Sequence, residues 1–290
     1  MLLASAIVTG LGLGSMYGLL ALGFHVTWAV SNTVNFSQGS AMMVGAVLAY
    51  FAVMAAGWPV VLGVPAALAG CALLGLAIER VAVRPFVRRG SDAWLMATVA
   101  VGIVLDNLAL FTFGKEPRSL VLPLARDQIE LFGVGVFAIQ LLIPLAGLGV
   151  AFALHQLARR TLLGRAWLAT AQNPDAARLM GIDTGRAVAA AFALSAVFAG
   201  LAGILIAPLF NVSADMGTLF GIKAFAAAIL GGIASAWGVV IAGLIYGVVE
   251  ALITALLGSV YTNILTFALI IVALAFLPNG LFGRAAVRKV

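Results

Sequence analysis

Few residues in this chain are of a type and spacing that could make or break a covalent bond. The two histidines, His25 and His155, are 130 residues apart, and the single cysteine, Cys71, lies inside an apolar run. There is no HExxH, no GxSxG and no Cys/His cluster, so metal-assisted and serine-based hydrolysis lack their residues. The only Gly-Lys pair, Gly114-Lys115, lacks the upstream glycine and the following Ser or Thr of a phosphate-binding loop. The chain is therefore expected to hold no catalytic residues, no metal and no cofactor, and to hydrolyse no ATP by that route. What remains are charges inside apolar runs: Asp106, Lys223 and Glu250. Each must face protein or water, because a charge in hydrocarbon costs about 2.5–3.5 kcal/mol at the centre of a span on insertion scales. For the two acids the readings are a proton relay or ion site on one hand, and an interhelical hydrogen bond or an acid near the interface on the other. Their wide separation, with no cluster at metal-ligand spacing, favours the second pair. For Lys223 the readings are a path-lining cation or a side chain that snorkels to the interface, and its place near the predicted outer end of a short apolar run favours snorkelling.

Such charges must be positioned by membrane helices. Of 290 residues 64% are hydrophobic and only 9% charged, against roughly 25% charged in globular domains. The net charge of +6 does not form a nucleic-acid face, because the sixteen Lys and Arg fall in short gaps between apolar runs. Spans of about 20 residues are predicted near 4–30, 39–56, 60–78, 93–113, 133–155, 187–207, 218–235, 237–257 and 262–277. The fold class is an all-α polytopic bundle of eight or nine helices, forming one membrane domain over 1–290. The first ten residues lack the basic start of a secretory signal, so the first run is read as a retained span. Arg80, Arg84, Arg88 and Arg89, then Arg159, Arg160, Arg165, Arg178 and Arg186, then Arg284, Arg288 and Lys289 mark the cytoplasmic side. The segment 114–132 balances Lys115, Arg118 and Arg126 with Glu116, Asp127 and Glu130, and 208–217 holds only Asp215, so both face outward. A cytoplasmic C-terminus and an external N-terminus need an odd number of crossings. Nine fits; eight follows if one weak segment is re-entrant.

Three stretches interrupt this pattern. Residues 31–40, SNTVNFSQGS, carry seven polar residues and no charge, and read either as a cytoplasmic turn or as a helix break at membrane depth lining a cavity. The run 218–235 is short and ends at Gly231-Gly232, as a half-helix would. Within the loop 158–186, Asn173, Pro174, Asp175 and Gly181 supply an N-cap, a first helical proline, a first-turn acid and a left-handed stop. The short helix between them places Ala176, Leu179 and Met180 on one apolar face, too small for a core but able to fill a groove in a partner. Pairs spaced by four, Gly14 with Gly18 and Gly243 with Gly247, and the series Ser195, Ala199, Gly203, predict close helix crossings. A faint likeness between 35–50 and 230–246 hints at an internal repeat.

At these residues the sequence resembles the permease subunits of ATP-binding-cassette importers, specifically those of high-affinity branched-chain amino acid systems. Asn35-Phe36 with Gly39 resembles the family's NFAHGE element, and Glu79-Arg80-Val81-Ala82 with Arg84-Pro85 its ERVAxRP. Gly164-Arg165-Ala166 through Gly181-Ile182 is similar to its cytoplasmic loop, Lys223-Ala224-Phe225 through Leu230-Gly231-Gly232 to its KAFxAAxLGG run, Glu250-Ala251-Leu252 to the following helix, and Pro278, Gly280, Gly283 and Arg284 to its C-terminal PxGxxGR. Gln38 and Ser40 stand where the family commonly has His and Glu, and Trp237 where it has Pro.

The resemblance implies the importer permease fold and a coupling helix formed by Asp175, Ala176, Ala177, Arg178, Leu179, Met180 and Gly181. The later hydrophobic-Pro part of that element is missing here. It also implies an inner-membrane assembly with a second permease subunit, identical or related, two ATPase subunits that bind ATP and Mg, and an extracytoplasmic solute-binding protein. The solute is expected to be a branched-chain or related amino acid, or in substitution urea, an amide, an aromatic acid or a sugar; an ion-coupled secondary transporter is the alternative class. Tyr17, Asn35, Ser37, Gln38, Asn211 and Lys223, polar groups in or beside spans, are the expected path lining, although turn or interface roles explain each equally well.

Overall fold

The computed structural model describes residues 2–121, 128–131, 134–277 and 279–283. Arg126, Asp127, Pro278, Arg284, Arg288 and Lys289, used above for sidedness or resemblance, lie outside the described residues. Among the described residues eight helices are long and apolar enough to cross a membrane, and Met216–Gly231 is a shorter apolar helix. The bundle is thus eight long helices plus one of 16 residues, about 24 Å at 1.5 Å per residue, short of the ~30 Å hydrocarbon core.

Helix α1 (Leu2–Ser31) is apolar all round and forms the centre, as such a helix must. It packs along α11 (Ala236–Leu257) and α9 (Thr184–Phe210). The spaced glycines explain the first crossing. A Cβ on Gly14 would stand 2.7 Å from Leu244 Cα, and one on Gly243 would stand 2.7 Å from Gly18 Cα, so only glycine lets the two backbones approach this closely. Around this pair stand α2 (Gln38–Tyr50, continued by a π-helical turn to Ala55), α3 (Val60–Ile78), α5 (Trp94–Thr112), α6 (Ala138–Arg160), α10 (Met216–Gly231) and α12 (Ser259–Phe276). Val61, Phe111 and Val260 are large apolar side chains left on the outside. The chain is a multi-pass membrane protein, and these faces suit hydrocarbon.

Two local features differ from the predicted spans. The run 133–155 begins with strand rather than helix: β1 (Gln128–Leu131) pairs antiparallel with β2 (Val134–Phe137), Gln128 opposite Phe137. Alternation of valine with glycine suits a pleated ribbon better than a helical turn, and α6 starts only where Gln140 Oε1 accepts the Phe137 N–H at 3.0 Å. After α3 the chain widens into a π-helical turn at Glu79–Val83 before α4 (Arg84–Val87). Pro85 offers no N–H and crowds the carbonyl four residues back, so the ladder loosens in the preceding turn. That spacing brings Arg84 onto Glu79, with Nε to Oε1 and Nη2 to Oε2 both at 2.9 Å.

Candidate functional site

The loop 158–186 folds as two short helices, α7 (Leu162–Gln172) and α8 (Pro174–Leu179). Each helix start is fixed by a side chain. Thr161 Oγ1 accepts from Gly164 N at 3.0 Å; Asn173 Oδ1 accepts from Asp175 N at 3.1 Å and Ala176 N at 3.0 Å; Asp183 Oδ1 accepts from Arg186 N at 3.0 Å, starting α9. These groups answer the donors left free at helix starts. Gly181 ends α8 at φ +82°, while Gly181 N donates to Arg178 O and Ile182 N to Ala177 O, a left-handed stop that favours glycine. Trp167 Nε1 donates to Ala187 O at 2.9 Å and Arg178 Nε to Thr184 Oγ1 at 3.0 Å, tying the loop to α9. Ala177 faces inward at 4% exposure, whereas Leu179 and Met180 stand out at 89% and 83%, with Ala176 exposed beside them.

The interior holds a second polar assembly. Lys223 on α10 meets Glu250 on α11, Nζ to Oε1 at 2.5 Å, and Tyr17 on α1 donates its hydroxyl to Glu250 Oε2 at 2.9 Å. All three residues are buried. The snorkelling expected of Lys223 is therefore corrected: its partner is 27 residues on in sequence, where no local pattern shows it, and the ammonium turns inward to that carboxylate. Glu250 takes the expected interhelical hydrogen bond and an ion pair as well. The Tyr17 and Tyr246 rings meet edge to face at 5.3 Å beside it.

Residues 33–37 are a break within the bundle rather than an exposed turn. Thr33, Asn35, Ser37 and Gln38 are all buried. Gln38 Nε2 donates to Ser195 O at 3.0 Å, and Ser195 Oγ donates to Gly23 O at 2.9 Å. Gly23 lies eight residues before the end of α1, so α2 begins about 12 Å inside that end. Asn35 Oδ1 accepts from Ser37 N and Oγ, and Phe36 N donates to Thr98 Oγ1 at 3.3 Å, which satisfies backbone freed by the break. The second break, after α10, sits at a similar level: His25 Nδ1 and Ile233 O are 2.7 Å apart. Asn211 ends α9 at φ +59° and accepts from Ser119 Oγ at 2.7 Å.

The six expected path residues thus fall in three places: Tyr17 and Lys223 in the ion-pair cluster, Asn35, Ser37 and Gln38 in the first break, Asn211 at the end of α9. Two cavities share part of their lining, and none of the six residues lines either. One, about 370 Å³, is walled by Phe24, Phe36, Val99, Ile103, Ile222 and Phe225; the other, about 450 Å³, is walled by Asn107, Lys115 and Asp215 among others. Both include Asp106 and Thr218. Thr218 was not singled out from sequence, since a lone threonine in an apolar helix carries no signal; Thr218 Oγ1 donates to Asp106 Oδ2 at 2.8 Å. This is the expected interhelical bond of Asp106.

A bundle of eight long helices with two breaks inside it and a buried ion pair is the architecture of a polytopic membrane subunit. The chain belongs to the family described as branched-chain amino acid transport system, permease component, which it matches over residues 6–274. It is 34% identical over 296 residues to the high-affinity branched-chain amino acid transport system permease protein LivH of Escherichia coli K12, covering 97% of this chain and 96% of that protein. It is 32% identical over 299 residues to the corresponding permease protein BraD of Pseudomonas aeruginosa, covering 98% and 97%. The probable branched-chain amino acid transport permease protein LivH of Methanocaldococcus jannaschii is 30% identical over 287 residues, covering 91% and 88%. No solved structure matches the chain.

Proposed function

We propose that this chain, as a single membrane domain, is the translocating subunit of an ATP-driven, binding-protein-dependent importer that moves branched-chain amino acids across a bacterial inner membrane by alternating access. The observation that carries the reading is α8: a short helix, capped at both ends and tied to α9, that presents Leu179 and Met180 bare in the loop richest in arginine. Such a turn transmits force from a partner with a groove. In this reading the partner is a pair of cytoplasmic ATPase subunits, which bind the ATP and Mg; a second permease subunit completes the membrane domain, and an extracytoplasmic solute-binding protein delivers the amino acid. The basic loops and the C-terminus then lie in the cytoplasm. Asp175 to Gly181 form the coupling element.

For the path, Asn35, Ser37 and Gln38 brace the break from which Phe36, Gly39 and Ser40 face the 370 Å³ cavity. Tyr17 and Lys223 hold α10 in place on its other side, and Asn211 shapes the outer entrance. The substrate follows from the relatives' names and from the apolar walls of that cavity. A photo-crosslinking residue at Met180 in the assembled complex tests the coupling role. It should label an ATPase subunit, with an altered yield when ATP is bound; labelling of lipid or solvent alone would rule the role out.

A further inference from the structure

We infer that Asp106, at the junction of the two cavities, is the residue that receives the ammonium group of the transported amino acid, with the apolar chamber below it taking the side chain. The inference rests on the importer reading for its substrate class. Asp106 lies six residues before the end of α5, about 9 Å along the helix, where a carboxylate facing lipid would be expensive. Its Oδ2 is held by Thr218, but its Oδ1 is buried and, among the described residues, has no hydrogen-bond partner. Among the described residues it also forms no ion pair. The two other acids inside spans, Glu79 and Glu250, each have both oxygens engaged. A carboxylate with one oxygen oriented and the other vacant is half of a site, and it favours a cationic donor.

The surroundings say which cation. On one side the 450 Å³ cavity leads past Asn107, Lys115 and Asp215, polar walls that keep water at the entrance. On the other side the 370 Å³ chamber is apolar apart from Ser40, Thr218 and Asp106, with the Phe225 ring edge-on to Phe24 at 5.3 Å and Phe36 at 5.1 Å. That volume and that mixture, mostly apolar with a few placed polar groups, suit a small organic ligand. An inorganic cation would gain nothing from three phenyl rings and two isoleucines. A zwitterion with an aliphatic side chain fits both halves, its ammonium on Asp106, its side chain in the chamber and its carboxylate toward the Lys115 side.

The test uses the assembled transporter in proteoliposomes. Ile222, half exposed on the chamber wall, is changed to Cys and its reaction with a water-soluble thiol reagent is timed. Leucine at millimolar concentration should slow the reaction, 4-methylpentanoate, which lacks only the ammonium, should not, and Asp106→Asn should abolish the protection. Asp106→Asn should also lower leucine uptake per assembled complex about 10- to 100-fold, the range set by a charge-assisted hydrogen bond. Equal protection by the two ligands, or normal uptake in Asp106→Asn, would overturn the inference while leaving the importer reading intact. Failure of Asp106→Asn to copurify with the second permease, together with no leucine protection of Ile222→Cys alone, would make Asp106 an interface residue and also overturn it. Absence of ATP-driven uptake by the unaltered complex would instead strike the importer reading, and the protection experiment would remain readable.

Discussion

Removing one side of the Lys223–Glu250 pair should destabilise the bundle far more than removing both. Glu250→Met leaves an ammonium buried among α1, α10 and α11 without the carboxylate that is its ion-pair partner at 2.5 Å. Breaking one partner of a buried pair costs about 3–5 kcal/mol, whereas replacing both by apolar side chains of similar volume is often neutral or stabilising. Lys223→Met should cost a similar amount by stranding the carboxylate, of which Tyr17 satisfies one oxygen. At roughly 2–4 °C per kcal/mol for a chain somewhat smaller than this, each single change should lower the apparent melting temperature by about 6–20 °C. The double change to Met newly deprives the Tyr17 hydroxyl of its acceptor, a loss of about 1–3 kcal/mol that Tyr17→Phe should relieve. The assay is thermal loss of the monodisperse peak of detergent-solubilised protein. If the double variant melted at the sum of the two single shifts, the residues would act independently, and the buried pair would not be what joins these helices.

Three further outcomes follow from the loop and the crossing. Leu179→Asp should leave the melting temperature within the small range of exposed substitutions, about 0.5 kcal/mol, yet abolish stimulation of the partner ATPases by solute-loaded binding protein; normal stimulation would remove α8 from the coupling role. Gly181→Pro cannot adopt φ +82° and should uncouple transport while the membrane helices stay folded, as judged by an unchanged helical circular dichroism signal. Gly247→Val puts side-chain atoms into the α1 backbone at Gly14 and should cost at least the 1–3 kcal/mol of overpacking, read as reduced yield and melting temperature; wild-type stability would show that this crossing can open.

How much of this could be read from the chain depends on the range of the interaction. The caps of α8 are local: Asn173, Pro174 and Gly181 act within three residues, and the structure places each at the position its type implies. The glycines of α1 and α11 repeat every four residues, so their close approach could be anticipated, though not that Gly14 faces Gly247 and Gly18 faces Gly243. The partners of Lys223, Asp106 and Gln38 come from other helices, and apolar periodicity cannot say which helices adjoin. Lys223 was misread for that reason. The segment 31–40 was ambiguous because a buried break and a surface turn both need polar residues without charge; only its depth beside Gly23 separates them. The hairpin at 128–137 was hidden by valines that count as apolar in a helix and as β-formers in a strand.

The most direct test of the account is solute uptake by the purified chain with and without its proposed partners. Reconstituted with its second permease and two ATPases, it should accumulate leucine only when ATP is inside with the ATPases and loaded binding protein is outside. If the chain alone moved solute down an ion gradient, or if uptake ignored ATP, the central claim would be wrong.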